Sequence, residues 1–351
     1  MILYFEYSKS CIFILVKEKN WSIESARYIA AFAVICIHYF YPKNETLTLV
    51  VNQCARFAVP FFFTVSGYFL AEKLKGNDRF SIYWKYVKKI FFLYIAWQFI
   101  YFIDPPYGEI YIRGFWKAYS NKLHQVTDQN WEYIIFKGWS QHLWYFASLC
   151  LTVIYFFLFR LKRVYLMVGI SALLYMVGAL THAYARSRLG IPTTWLGLPP
   201  KFNTNNLIFF SAFPFSLGVL LSARPVHIGL WPSIIILLLG VALHFTEIWF
   251  LGHIKLKQRV DYGFTTFIMG VGVFLVAKNH FKPLEWKALA SLGKFSLGIY
   301  AMHVLVATYL YNYLFIHYKD YLYITRPMAT LIACTLITWG MSKVPVLKKL
   351  V

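Results

Sequence analysis

Glu24, Arg27 and His38 form the spacing with the most chemical content in this chain: an acidic residue, a guanidinium three positions on, then an apolar stretch ending in an imidazole. On an α-helix, eleven residues turn about 20° beyond three full turns and rise about 16.5 Å, so Arg27 and His38 share one face. Glu24 stands one turn before Arg27 and can hold its guanidinium in place. The planar fork of an arginine pairs with phosphate oxygens, and a histidine suits proton transfer near neutral pH. The separation is comparable with an extended pantetheine arm. One helix can therefore grip the phosphates of coenzyme A and set a base near its thioester. The plainer reading is a snorkelling Arg27 and a His38 that packs and bonds a neighbouring carbonyl.

Ser296, Tyr300 and His303 sit at offsets of four and seven and make a second polar stripe ending in histidine. Two such stripes facing one cavity strengthen a functional reading of each. Near Arg56, the run Pro60-Phe61-Phe62-Phe63 is followed by Ser66-Gly67-Tyr68. Pro60 frees the carbonyl four residues earlier and predicts a kink, while Gly67 allows a neighbouring helix to come close. Arg56 can reach a cavity or sit at the outer membrane boundary, and its position favours the boundary. His142 and Trp144 at a helix entrance can stack on a sugar ring, although tryptophan belts need no function. His244 and Glu247, one turn apart, read as structural. Cys11, Cys36, Cys54, Cys150 and Cys334 are scattered without a CxxC pair, so no metal site is expected.

The elements carrying these residues must lie in a bilayer. The chain of 351 residues is 59% hydrophobic and 14% charged, where a soluble domain carries about a quarter charged residues. Its apolar residues fall in blocks long enough to cross a membrane. The expected fold is all-α, a polytopic membrane protein with ten spans at about 24–41, 47–71, 86–103, 142–160, 164–182, 207–222, 229–251, 262–278, 296–315 and 326–342. A tail over 1–23 and a basic tail over 343–351 flank a transmembrane domain over 24–342. The formal net charge of +21 is spread between the apolar blocks and marks topology, not nucleic-acid binding. Roughly 21 Lys and Arg lie on the N-terminal side against roughly 13 on the other, which predicts both termini in the cytoplasm. Lys255, Lys257 and Arg259 oppose that bias. Two long outer loops, 104–141 and 183–206, are rich in aromatic and polar residues and can offer a sugar-binding face.

Glu24-x-x-Arg27 with His38, Arg56-x-x-x-Pro60-Phe-Phe with Ser66-Gly67-Tyr68, His142-Leu-Trp144, Phe213-Pro-Phe-x-x-Gly218 and Gly293-x-x-Ser296-x-x-x-Tyr300-x-x-His303 occur in this order. The ordered set resembles the acyltransferase-3 family of bacterial membrane O-acyltransferases. No fused domain is expected after the last span, so the set looks particularly like the stand-alone branch, which includes the enterobacterial common antigen O-acetyltransferase. The family commonly has Asp where this chain has Glu24.

The resemblance implies a ten-helix enzyme of the bacterial inner membrane. It would move an acetyl group from cytoplasmic acetyl-CoA, a substrate and not a bound cofactor, to a hydroxyl of a surface glycan or its lipid-linked precursor. Carried over, His38, Arg27 and Glu24 are the catalytic set. Arg27, Arg56, Ser66 and Tyr68 face the donor, and His142, Trp144, Tyr300 and His303 face the acceptor. His38 acts as general base or as a transient acyl carrier. The rival reading is a transporter or flippase of lipid-linked saccharides, in which buried arginines and histidines also occur. Internal repeats and broken helices in matching halves mark such proteins and are not visible here.

Overall fold

The computed structural model describes residues 20–40, 44–75, 80–104, 116–117, 120, 140–185, 187, 189–197, 204, 207–224, 226–254, 261–314 and 322–351. Most of the 1–23 tail, most of the 104–141 loop and Lys255, Lys257 and Arg259 lie outside the described residues.

Among the described residues the chain is helical, without a strand. The helices are α1 (Trp21–Tyr39), α2 (Glu45–Ala55), α3 (Ala58–Leu74), α4 (Phe80–Ile103), α5 (Trp144–Phe159), α6 (Val164–His182), α7 (Ile208–Ala223), α8 (Leu230–His253), α9 (Thr266–Lys278), α10 (Lys287–Leu292), α11 (Ser296–Leu314) and α12 (Leu322–Lys343). Six stretches are long and apolar enough to cross a bilayer: Glu45–Leu74, Phe80–Ile103, Gln141–Phe159, Leu161–His182, Leu230–His253 and Lys287–Tyr311. Two more apolar helices, α7 and α9, are shorter. The expectation of ten is thus met by six on length and hydropathy. α1 misses for a physical reason, because Glu24, Arg27 and His38 dilute the apolar character of its 19 residues.

Only 28% of the apolar stretch of α4 and of α8 is buried. Phe91, Phe92 and Phe99 on α4 and Ile235, Leu238 and Trp249 on α8 point outward. Such surfaces would be costly in water and are ordinary against lipid tails.

The expected single helix over 47–71 is two helices. Pro60 is the third residue of α3, where a missing backbone N–H has no partner to lose, and the carbonyl it frees belongs to Arg56. The break therefore falls at Arg56–Phe57, a turn ahead of the proline. Arg56 is carried on that break.

Among the described residues the most extensive helix packing joins α3 to α7. There, a Cβ added at Gly67 would run into the Phe215 carbonyl oxygen, and one added at Gly218 into the Thr64 carbonyl oxygen. The two glycines let the backbones touch.

α1 occupies the middle of the bundle and contacts α2, α3, α9, α10, α11 and α12. Its start is fixed twice. The Asn20 carboxamide oxygen accepts from the Ile23 N–H at 3.0 Å as an N-cap, and its amide donates to the Lys278 carbonyl at 3.2 Å. At Gly293, the backbone of α1 presses so close that a side chain would collide with the Glu24 carbonyl oxygen.

Candidate active site

At the first end of α1, Arg27 Nη1 lies 3.1 Å from both carboxylate oxygens of Glu24. The pair is only partly exposed, at 25% and 12% for the two side chains. Arg27 opens on a cavity of about 200 Å³ whose wall includes Lys89, Ser66, Tyr86, Ser296 and Tyr300. Two cations and several hydroxyls in one small recess suit an anionic, hydrogen-bonding guest. The volume takes a fragment, such as a phosphate group or the thiol end of a pantetheine arm, and not a whole nucleotide-bearing thioester.

The other end of α1 belongs to histidines. The His38 ring lies 5.3 Å from that of His303 on α11, and the His303 ring lies 4.8 Å from that of His142 in the 3-10 turn before α5. His38 is half-buried, while His142 and His303 are 3% and 0% exposed. No hydrogen bond ties the His38 ring among the described residues, so its nitrogens are uncommitted, and the ring stands outside the wall of the Arg27 cavity.

His142 is held on both sides. Its Nε2 is 3.0 Å from the Ala301 carbonyl oxygen, which can only accept, so that nitrogen carries the proton. Its Nδ1, 2.8 Å from Ser140 Oγ, then accepts from the hydroxyl. Tyr300 donates its hydroxyl to the His142 carbonyl at 2.6 Å. His142 is thus not an exposed stacking platform at an outer mouth, and hydrogen-bonding a substrate would cost it a bond it already has. Trp144 packs its ring against Phe63 and Phe210, inside the helix bundle.

Tyr300 links the two ends. It lines the Arg27 cavity, and its ring is 5.8 Å from that of His303. The expected stripe Ser296, Tyr300 and His303 therefore runs from the cavity to the histidines along α11, all three buried.

Arg56 and Tyr68 are not in the cavity wall. Asn52 donates to the Ile37 carbonyl at 3.0 Å, Arg56 Nη2 donates to Asn52 at 3.1 Å, and Arg56 Nη1 pairs with Asp261 at 2.9 Å. This places Arg56 beside the His38 end of α1, far along the helix from Arg27. Tyr68 packs its ring 5.1 Å from that of Phe274, with the Lys278 ammonium over its face.

The polar chain continues outward from Asn52. Gln53 accepts at 3.1 Å from His244 Nε2, and Glu247 receives the backbone N–H groups of Phe264 and Thr265, at 2.7 and 3.0 Å, and the Tyr184 hydroxyl, at 2.8 Å. Glu247 thus ties the chain ahead of α9 to α8, matching the structural reading of that pair.

Tyr86, Lys89, Tyr145, Asn52 and Ser140 were not singled out by spacing. Tyr86 and Lys89 share a face of α4 at an offset of three, a signal that the basic run Lys85–Lys89 hides by looking like a topology marker. Asn52 and Ser140 act on residues that only the fold brings near.

Among the described residues, then, an all-helical bundle carries a cavity lined by a guanidinium and a lysine, linked through Tyr300 to a cluster of three histidines. The acyltransferase domain profile of the acyltransferase-3 family matches residues 20–343, and the chain belongs to that family of membrane acyltransferases. Two curated relatives, both named amino-acid racemase and both from Enterococcus faecalis, are similar over part of the chain. One is 33% identical over 177 residues, covering 46% of this chain and 23% of the relative; the other is 28% identical over 225 residues, covering 60% and 29%. The chain thus spans under a third of the length of these relatives. No solved structure matches.

Proposed function

We propose that this protein is an O-acetyltransferase that moves acetyl from cytoplasmic acetyl-CoA to a hydroxyl of a surface polysaccharide or its lipid-linked precursor, at the bacterial inner membrane. The observation that carries the reading is that one helix offers Arg27 to a cavity at one end and an uncommitted imidazole, His38, at the other. Arg27, steadied by Glu24, grips phosphate oxygens of the donor, with Lys89 adding charge. The thioester then extends along α1 past Tyr300 toward His38, over about 16.5 Å of helix rise. His38 takes the proton of the acceptor hydroxyl as its oxygen attacks the thioester carbonyl. The C–O bond forms, the C–S bond breaks, and the proton ends on the coenzyme A sulfur. Outside, Arg56, fixed by Asn52 and Asp261, borders the acceptor's approach to His38. The racemase name belongs to relatives of which the match covers under a third, and it assigns no role to any residue of this site.

The test uses purified protein in liposomes, with acetyl-CoA and a mixture of methyl hexosides and N-acetylhexosamines. Wild-type protein is expected to release coenzyme A thiol and raise the mass of a glycoside by one acetyl group. His38→Ala is expected to abolish both while inserting and folding normally. Near-normal transfer by that variant removes His38 from the mechanism, and glycan movement without thioester consumption replaces the reading with transport.

A further inference from the structure

Two buried histidines stand next to His38, and their hydrogen bonds set them to opposite uses. His142 has both ring nitrogens engaged, one by the Ala301 carbonyl and the other by Ser140. His303 has one engaged. Its Nδ1 is 2.7 Å from the Tyr300 carbonyl oxygen, which accepts only, so Nδ1 carries the proton of the neutral ring. Nε2 is then a bare lone pair, fully buried and without a hydrogen-bond partner. A buried acceptor left unmet is destabilising, and a chain with other side chains available for packing has no structural reason to keep one.

The lone pair belongs to the ring that lies 5.3 Å, centroid to centroid, from that of His38. Resting on the acyl-transfer reading above, we propose that His303 is a positioning residue whose Nε2 receives a second proton through His38, making the two rings a relay. His142 is the fixed wall that holds the pair in register.

The two rings share no hydrogen bond in the resting structure; when one nitrogen of His38 takes the acceptor hydroxyl proton, a turn of its ring brings the other nitrogen to His303 Nε2 and the proton there passes across. His38 stays neutral, and the charge rests on a ring whose Nδ1–H is already anchored to the Tyr300 carbonyl. As the C–S bond breaks, the proton returns through His38 to the departing thiolate. One hydroxyl proton is lost, one thiol proton is gained, and both rings end as they began. The relay moves the charge off the ring that faces the reacting atoms and onto one whose Nδ1–H already has a carbonyl partner, which stabilises the imidazolium. The arrangement also accounts for the Tyr300 position: its carbonyl fixes the His303 tautomer while its hydroxyl fixes the backbone at His142.

The proposal is tested with the whole protein in two independent ways. Asparagine places its amide nitrogen where Nδ1 of histidine lies, so His303→Asn keeps the donor to Tyr300 and deletes the base; His303→Gln serves if that variant does not fold. The first measurement needs no acceptor: nitrogen-15 histidine spectra of wild type and His303→Asn in micelles. The signal lost in the variant is expected to be a neutral ring protonated at Nδ1. Loss of an Nε2-protonated signal overturns the proposal whatever the enzyme's reaction.

The second measurement is single-turnover transfer from acetyl-CoA in H2O–D2O mixtures. His303→Asn is expected to lower the rate by about 10²–10⁴-fold with apparent donor affinity within about twofold of wild type. The curved solvent dependence of two moving protons should become the straight line of one. A straight line in wild type, or a near-normal rate in the variant, overturns the relay. A wild-type protein that consumes no thioester sinks the acyl-transfer reading instead, leaving the tautomer measurement to decide the state of His303.

Discussion

Arg27 and Glu24 illustrate how much one side chain depends on its neighbour inside a low-dielectric bundle. Both oxygens of Glu24 face one terminal nitrogen of Arg27, which leaves the rest of the guanidinium fork toward the cavity. Arg27→Ala is expected to raise the apparent acetyl-CoA KM by at least about tenfold with a smaller change in kcat, since a charge-assisted pair to phosphate contributes about 1.5–3 kcal/mol. Arg27→Lys should recover part of the affinity but not the bidentate geometry. Thioester consumption at varied donor concentration checks both, and an unchanged KM in Arg27→Ala removes this residue from donor binding. The shared face of Arg27 and His38 was legible because helical geometry alone sets it. The engagement of His142 was not, because Ala301 lies 159 residues away and only packing brings its carbonyl to the ring.

At the scale of elements, the site is held by backbone proximity at three glycines. Gly293 lets the start of α11 lie against Glu24, and Gly67 and Gly218 let α3 lie against α7. Because the obstacle at Gly67 and Gly218 is a carbonyl oxygen on the opposing helix and not a flexible side chain, α3 and α7 must separate to admit a methyl group. Gly67→Ala and Gly218→Ala are each expected to destabilise the folded protein by about 1–3 kcal/mol, read as a lower Tm in detergent. Since α3 supplies Ser66 to the cavity, the donor KM should rise in the fraction that stays folded. An unchanged Tm in both variants would show that the crossing is looser than described. The sequence pointed to Gly67 as a close-packing position and to Pro60 as a kink. The freed Arg56 carbonyl marked where the chain would bend, but not that the bend would separate two helices, α2 and α3. Nor could the sequence show that Arg56 pairs with Asp261, 205 residues on.

For the whole molecule, the ends of the helices sort into two sets by their contacts. The Arg27 end of α1 meets Lys278 at the end of α9 and Gly293 ahead of α11, and Ser222 near the end of α7 donates to Glu72 near the end of α3. The His38 end of α1 meets the α2–α3 break, and Tyr39 lies under the guanidinium of Arg326 at the start of α12. Lys73, Lys75, Lys85, Lys88, Lys89, Arg160, Lys162, Arg163, Lys278 and Lys294 all fall near the first set of ends. Positive charge concentrates on the cytoplasmic face of membrane proteins, so the Arg27 mouth is expected to face the cytoplasm, where acetyl-CoA is found. The composition made the membrane and the sign of this bias legible, while the number of crossings was not, since the polar residues that make α1 chemically useful also lower its hydropathy. Lys294 and Trp195 are both exposed and lie at opposite ends of the bundle. With a membrane-impermeant maleimide, Lys294→Cys is expected to react in inside-out vesicles and Trp195→Cys in right-side-out vesicles, each above the background of the native cysteines. The reverse pattern would put the Arg27 cavity on the side that lacks the donor. In that orientation the guanidinium would face the acceptor, and a cytoplasmic thioester would have to enter at the His38 end.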